Sequence, residues 1–273
     1  DQAVSRGLGD VYKRQNHESV EGLYFDSSIT TPFHFVTVSG VAESPSNPVG
    51  GLSYINGDFD RGVRYMKELG VDYFISYTDS ITDKAIMSDE LENLFQSSPF
   101  TVFKIYSDKV QVVDAELVNF SQPELVERIS NSIFKQEKTD SFFNLAMKEF
   151  KLDNKKRIIE GIDTEESQIQ NRIPGKKSEI NNVRISNNKI TFETEHPNEL
   201  HIVKVSYFPN WKIENGSGPY RLSPSFMGVI PYSNEVSITF ENTSLEKSLN
   251  IISLIIFLLT AYLLVFRIKK YAE

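Results

Sequence analysis

The chain has 273 residues, with 29 Lys and Arg against 37 Asp and Glu, a net charge of −8 and no cysteine. The acidic balance argues against a nucleic-acid partner, because binding phosphates needs clustered Lys and Arg. The missing cysteine excludes thiol catalysis, disulfides and thiolate metal sites, while 40% hydrophobic and 12% aromatic residues suffice for packed cores.

The opening, Ser5-Arg6-Gly7-Leu8-Gly9-Asp10-Val11-Tyr12-Lys13-Arg14-Gln15, resembles translated sequencing-adapter DNA. Residues 1–15 are therefore set aside, as an expression scar would be. The remainder is expected to be the C-terminal part of a longer protein.

Residues 16–56 are rich in Gly, Pro, Ser and Asn, with a strand-like stretch at Phe33 to Val38. Here His17, Glu18, Glu21, Asp26 and His34 make the densest group of possible ligands or acid–base residues. His and carboxylate can hold a divalent metal. Their spacing matches no metal or catalytic motif, and a surface loop explains them more simply.

Phe59, Val63, Met66 and Leu69 recur at helical spacing, predicting a helix over Asp58 to Leu69 that Gly70 terminates. Val71 to Tyr77 reads as a buried strand, and Ser88 as the cap of a second helix through Phe95. Phe100 to Tyr106 and Lys109 to Val113 read as strands joined by a turn at Ser107-Asp108. Pro123 suits the first turn of a further helix to about Phe134. The mixed order suggests a small α/β domain over 16–134.

Residues 135–178 carry dense mixed charge and read as a helical connector. The run Asn154-Lys155-Lys156-Arg157 is followed by Glu160, Asp163, Glu165 and Glu166, so a solvated surface is expected there. Residues 179–243 read as an all-β domain, a sandwich or jelly roll of about six strands. Asn187-Asn188 suits a hairpin turn within it.

Leu249 to Phe266 is an uncharged run of 18 residues, close to the roughly 17 to 25 needed to cross a bilayer core. It shows no polar face, which a helix buried in a soluble core would have. Arg267, Lys269 and Lys270 follow it, whereas Glu235, Glu241 and Glu246 precede it. Loops rich in Lys and Arg stay cytoplasmic. The tail 267–273 is thus expected inside and the bulk of the chain outside. The expected class is α+β with one C-terminal transmembrane helix.

Several motifs resemble a known family. They are Gly22-Leu23-Tyr24-Phe25-Asp26-Ser27-Ser28, Thr30-Thr31-Pro32-Phe33-His34-Phe35, Pro45-Ser46-Asn47-Pro48, and Gly62-Val63-Arg64 with Leu69-Gly70-Val71-Asp72-Tyr73. Val203-Lys204-Val205-Ser206-Tyr207-Phe208-Pro209-Asn210-Trp211 and Gly218-Pro219-Tyr220-Arg221 carry it into the tail. In this order they resemble large actinobacterial membrane proteins labelled "6-pyruvoyl-tetrahydropterin synthase-related", which are similar to YfhO-type membrane glycosyltransferases of the GT-C class. The resemblance implies a polytopic enzyme that takes sugar from a polyprenyl-phosphate donor to build an envelope glycan. It places the catalytic acid on an early loop that has no counterpart here, so no catalytic residue is carried over. Pterin chemistry is not implied. It needs a three-His zinc site and a Cys, whereas this chain has four His, no His-x-His pair and no Cys. No cofactor is expected.

Tyr207, Trp211, Tyr220 and Arg221 are the candidate carbohydrate-binding residues. Aromatic faces stack on sugar rings, and Arg bonds hydroxyls or phosphate. The simpler reading puts Trp211 in the β core and Tyr220-Arg221 in a turn between Pro219 and Pro224. Expected partners are membrane lipid, a polyprenyl-phosphate sugar and an envelope glycan. The alternative is a non-enzymatic membrane-anchored protein of envelope assembly.

Overall fold

The computed structural model describes residues 31–120, 156–160 and 180–272. It combines helices with antiparallel sheets and ends in one long apolar helix. Helix α1 spans Thr31–Val41, where a strand is expected at Phe33 to Val38. Phe33, Val36, Thr37 and Gly40 are buried at helical spacing, and Ser39 and Val41 beside them are buried as well. Gly40 makes the close approach to α2 (Phe59–Glu68) possible. A Cβ there would lie 2.8 Å from the Asp58 carbonyl oxygen and 3.1 Å from Gly62 Cα.

The predicted helix over Asp58 to Leu69 is present as α2. The Asp58 side chain accepts from the Arg61 amide at 3.2 Å. At the other end Gly70 has φ +74°, Val71 N–H donates to the Met66 carbonyl and Gly70 N–H to the Lys67 carbonyl. These two bonds close a Schellman motif, which glycine permits at no steric cost. Phe59, Val63 and Met66 form the buried stripe.

Strand β1 (Tyr73–Ser76), helix α3 (Asp79–Met87), β2 (Leu91–Ser97) and β3 (Phe100–Ile105) follow. The helix expected from Ser88 to Phe95 is absent. The helix lies upstream, and Leu91–Ser97 pairs with β3 instead. Cross-strand pairing outweighs local propensity there. The sheet has order β1-β3-β2. Phe103, Ile105 and Leu91 point inward to meet Val63, Met66, Ile81 and Ala85. Val71 to Tyr77 is not a buried strand, because Tyr73, Ile75 and Tyr77 are exposed.

Strands β4 (Val110–Val112), β5 (Glu116–Phe120), β6 (Lys156–Glu160), β9 (His201–Ser206), β11 (Gly216–Leu222) and β12 (Phe226–Pro231) make a six-stranded sheet of order β4-β9-β12-β11-β6-β5. Strands β7 (Ile180–Ile185), β8 (Lys189–Thr194), β10 (Trp211–Ile213) and β13 (Glu235–Phe240) make a four-stranded sheet of order β10-β13-β8-β7. The predicted turn at Asn187-Asn188 joins β7 to β8. Val203, Met227 and Val229 of the larger sheet share a core with Ile190, Phe192 and Ile238 of the smaller. The opposite face of the larger sheet carries Leu200, Ile202, Tyr220 and Leu222, with Leu69 packed against them. Strand β12 is buried on both faces. Ser107-Asp108 therefore links two sheets rather than turning a hairpin. The helix expected from Pro123 lies outside the described residues.

The α2 end joins the two parts of the molecule. Lys204 Nζ donates to the Lys67 carbonyl at 2.9 Å, and Lys109 Nζ donates to the Gly70 carbonyl. Cations at a helix C-terminus meet its unpaired carbonyls and its partial negative charge. Arg157 Nη2 lies 2.7 Å from Glu68 Oε2, and Arg157 Nη1 donates to the Ser223 carbonyl. Arg157, expected on a wet surface, is buried at 7% exposure. Burial lowers the pKa of Lys204, opposed by Glu68 and Asp108 and reinforced by Arg157 and Lys109.

Helix α4 runs Ser244–Ala272 over 29 residues, a length of about 43 Å at 1.5 Å per residue. Its window Leu245–Tyr262 has a mean hydropathy of 1.5 and none of it is buried. It is long and apolar enough to cross a membrane.

Glu68→Ala leaves the Arg157 guanidinium without its carboxylate, and is expected to cost roughly 1.5–3 kcal/mol. Urea unfolding should show a lower midpoint at unchanged slope. Glu68→Gln combined with Arg157→Met should cost less, because no guanidinium is left buried without its carboxylate.

Candidate functional site

The acid–histidine group is only partly described. His17, Glu21 and Asp26 lie outside the described residues. His34 sits on α1 beside Phe35, with ring centroids 5.9 Å apart. Burial pushes its imidazole down to about 4, so it is neutral at neutral pH. Among the described residues, no group of three or more His, Asp or Glu side chains is placed to hold a metal ion.

The four carbohydrate candidates separate. Trp211 is 7% exposed and lies in the core shared by the two β sheets. Its ring meets Phe240 edge-on at 5.2 Å. Tyr220 is 8% exposed but belongs to the opposite face of the six-stranded sheet. Neighbouring strand residues point to opposite faces, so Tyr220 and Arg221 cannot meet one ligand together. Both lie within strand β11 rather than in a turn between Pro219 and Pro224. Gly218 gives that strand its irregularity, with φ +105° and a register shift between Ser217 and Tyr220. A Cβ at Gly218 would meet the Gly228 carbonyl at 2.8 Å.

Arg221 and Tyr207 do come together, around a residue the sequence reading missed. Arg221 Nη1 lies 3.4 Å from Glu160 Oε2, and the two residues are register partners across β11 and β6. The Tyr207 hydroxyl is pushed up by burial first and then by Glu160, with Arg221 opposing. Glu160 was hidden because Lys156–Glu160 lies in a charge-dense stretch read as a connector. The trio ties β6 to β11 and to the end of β9. It supplies a bound cation, a carboxylate and a phenol, with no nucleophile poised beside a base.

The larger exposed feature is the outer face of the β1-β3-β2 sheet. Register pairs Tyr73 with Lys104, Ile75 with Val102, and Phe95 with Val102. These side chains therefore share one face, together with Phe100. Tyr73 is 49% and Phe95 57% exposed, and Ile75, Tyr77 and Phe100 are exposed as well. Tyr77 meets Phe100 edge-on at 6.3 Å, and Lys104 Nζ stands 4.3 Å over the Tyr73 ring. The Tyr106 hydroxyl donates to the Glu92 carboxylate at the rim. Aromatic planes edged by Lys and Glu suit a ligand with apolar faces and many hydroxyls. The sequence signal was the alternation of Tyr73, Ile75 and Tyr77 against Phe74 and Ser76. Both sets are apolar or small, so the stretch reads as buried on both sides.

Comparison with protein families, curated proteins and solved structures finds no match.

Trp211→Ala is expected to cost about 3–5 kcal/mol, as deletion of a core aromatic does; thermal melting would show it. Stability should also fall with acidification through His34. Its folded pKa is below the unfolded 6.5, so the unfolded state takes up the proton first. The loss runs from about pH 6.5 down to about 4 and amounts to about 3 kcal/mol. His34→Phe should flatten that limb of the urea midpoint against pH.

Proposed function

We propose that this chain is the membrane-anchored, non-catalytic module of a system that builds a cell-envelope glycan, and that the outer face of the β1-β3-β2 sheet binds the glycan. The observation that carries this reading is that face itself. Its aromatic side chains are solvent-exposed on one sheet face with Lys104 and Glu92 at hand, while Trp211 and Tyr220 are spent on packing. A sheet face this apolar marks an interaction surface. The sequence resemblance to polytopic GT-C glycosyltransferases supports the same setting. In such an enzyme the catalytic acid and the polyprenyl-phosphate sugar site belong to the membrane helices, and this module braces them and holds the acceptor. The paired β sheets then act as a jelly-roll-like support outside the membrane. Arg267, Lys269 and Lys270 lie on the cytoplasmic side of α4.

A second reading is favoured by the exposed apolar side chains of the same face. A protein partner in envelope assembly would also bury it, with no sugar chemistry in the complex.

The two separate in a pull-down of the intact chain, held in nanodiscs, on insoluble envelope glycan freed of protein. Retention is expected. Tyr77→Ala with Phe95→Ala should weaken it roughly thirty-fold, the equivalent of losing about 2 kcal/mol of aromatic stacking. Retention that is absent, or unchanged by the double substitution, would defeat the glycan reading. The chain alone is expected to release no sugar from a polyprenyl-phosphate donor, and release would make it an enzyme.

A further inference from the structure

The segment Tyr207-Phe208-Pro209-Asn210-Trp211 makes a tight turn, with the Trp211 amide donating to the Phe208 carbonyl at 3.1 Å. Pro209 stands second in that turn, where its fixed φ is favourable. Two things follow at its tip. Asn210 is buried at 3% exposure and its Nδ2 donates both to the Glu241 carbonyl at 2.9 Å and to Glu246 Oε2 at 2.7 Å. Phe208 is turned outward at 54% exposure, with its ring 6.1 Å from that of Phe240.

Glu246 belongs to the first turn of α4. Its carboxylate also accepts from the Thr243 amide at 2.6 Å, and its own amide donates to Thr243 Oγ1 at 3.2 Å. This is a reciprocal capping box at the root of the helix. Only Glu241, Asn242 and Thr243 separate β13 from α4, and the Glu241 amide donates back to the Asn210 carbonyl at 2.9 Å. Helix and sheet edge are therefore joined without a free linker.

The length of the root fixes the level of that edge. From Ser244 to Leu249 the helix rises about 7.5 Å, close to the depth of one headgroup layer. The uncharged run begins at Leu249, so the edge of the β sheets stands at the outer boundary of the headgroups. Two exposed phenylalanines face outward there, where side chains with apolar bodies gain from partial insertion.

We propose that Phe208 and Phe240 form a foot that enters the interface of the bilayer crossed by α4, and that Asn210 locks the foot to the helix. The proposal rests on α4 spanning a membrane. Its occupant is lipid, and it concerns a surface distinct from the β1-β3-β2 face.

The test exploits a chain without cysteine. Single variants Phe208→Cys, Leu254→Cys and Tyr232→Cys are labelled with bimane and the whole chain is reconstituted in phosphatidylcholine–phosphatidylglycerol vesicles. The lipids carry bromine either near the headgroup or deep in the chains. Leu254 lies mid-window in α4, and Tyr232 follows β12 at the end remote from Phe208. The Leu254 label should lose emission to deep bromine, the Phe208 label to shallow bromine, and the Tyr232 label to neither. No loss at Leu254 would remove the membrane reading itself. Loss at Leu254 with none at Phe208 would overturn the foot while leaving the span intact. A free Phe208→Cys thiol shielded from a water-soluble maleimide, in a chain whose bimane label there is unquenched by lipid, would assign the surface to a protein and also overturn it. In an Asn210→Ala background the loss at Phe208 should shrink while that at Leu254 persists. Unchanged quenching at Phe208 would show that Asn210 is not the lock.

Discussion

The arrangement depends on the last turn of one ten-residue helix. Helix α2 ends in a Schellman cap, and its terminal carbonyls, its Glu68 carboxylate and its Leu69 side chain all face the six-stranded sheet. Lys204 comes from β9, Lys109 from the approach to β4, and Arg157 from β6. Three cations from two strands and one loop thus converge on one helix end. Each is held by a carbonyl or carboxylate, which offsets the cost of taking it out of water. Such a joint gains little raw stability over an apolar one, but it admits one docking geometry. A shift of one helical turn would take the Lys67 and Gly70 carbonyls away from Lys204 and Lys109.

Much of the fold is legible in the chain wherever one period dominates. The spacing of Phe59, Val63 and Met66 with Gly70 after them specifies α2, and Asn187-Asn188 specifies the β7–β8 turn. The apolar run after Glu246 specifies the long helix. Legibility fails where a tertiary contact outweighs local pattern. Phe33 to Val38 alternates well enough for a strand, yet its helix is selected by the glycine contact with α2. Leu91–Ser97 becomes a strand because β3 offers it a partner. Arg157 sits in a run that looks solvated, and its partners Glu68 and Ser223, distant in sequence, meet it only in the fold.

The candidate site was less legible than the fold, for a physical reason. Tyr207, Trp211, Tyr220 and Arg221 lie close in sequence, but strand alternation and the two faces of a covered sheet distribute them among separate environments. Their polar atoms and rings are used inside the molecule. The exposed aromatic face arises from β1, β2 and β3 together, and no single strand displays it. The three-stranded sheet is covered by helices on one side only, whereas the six-stranded sheet is covered on both. That difference in layering, rather than any motif, leaves one aromatic sheet face in water.

The six-stranded sheet also has a consequence for synthesis. Its strand β4 pairs Val110 with Val203 of β9, so the 92 residues between them must be made first. At ribosomal speeds of about 5–20 residues per second, that interval is on the order of 5–20 seconds. Through it the backbone of β4 has no sheet to join. A cut anywhere between β4 and β12 divides the six-stranded sheet, and the nascent polypeptide must be kept from premature association until its later strands arrive.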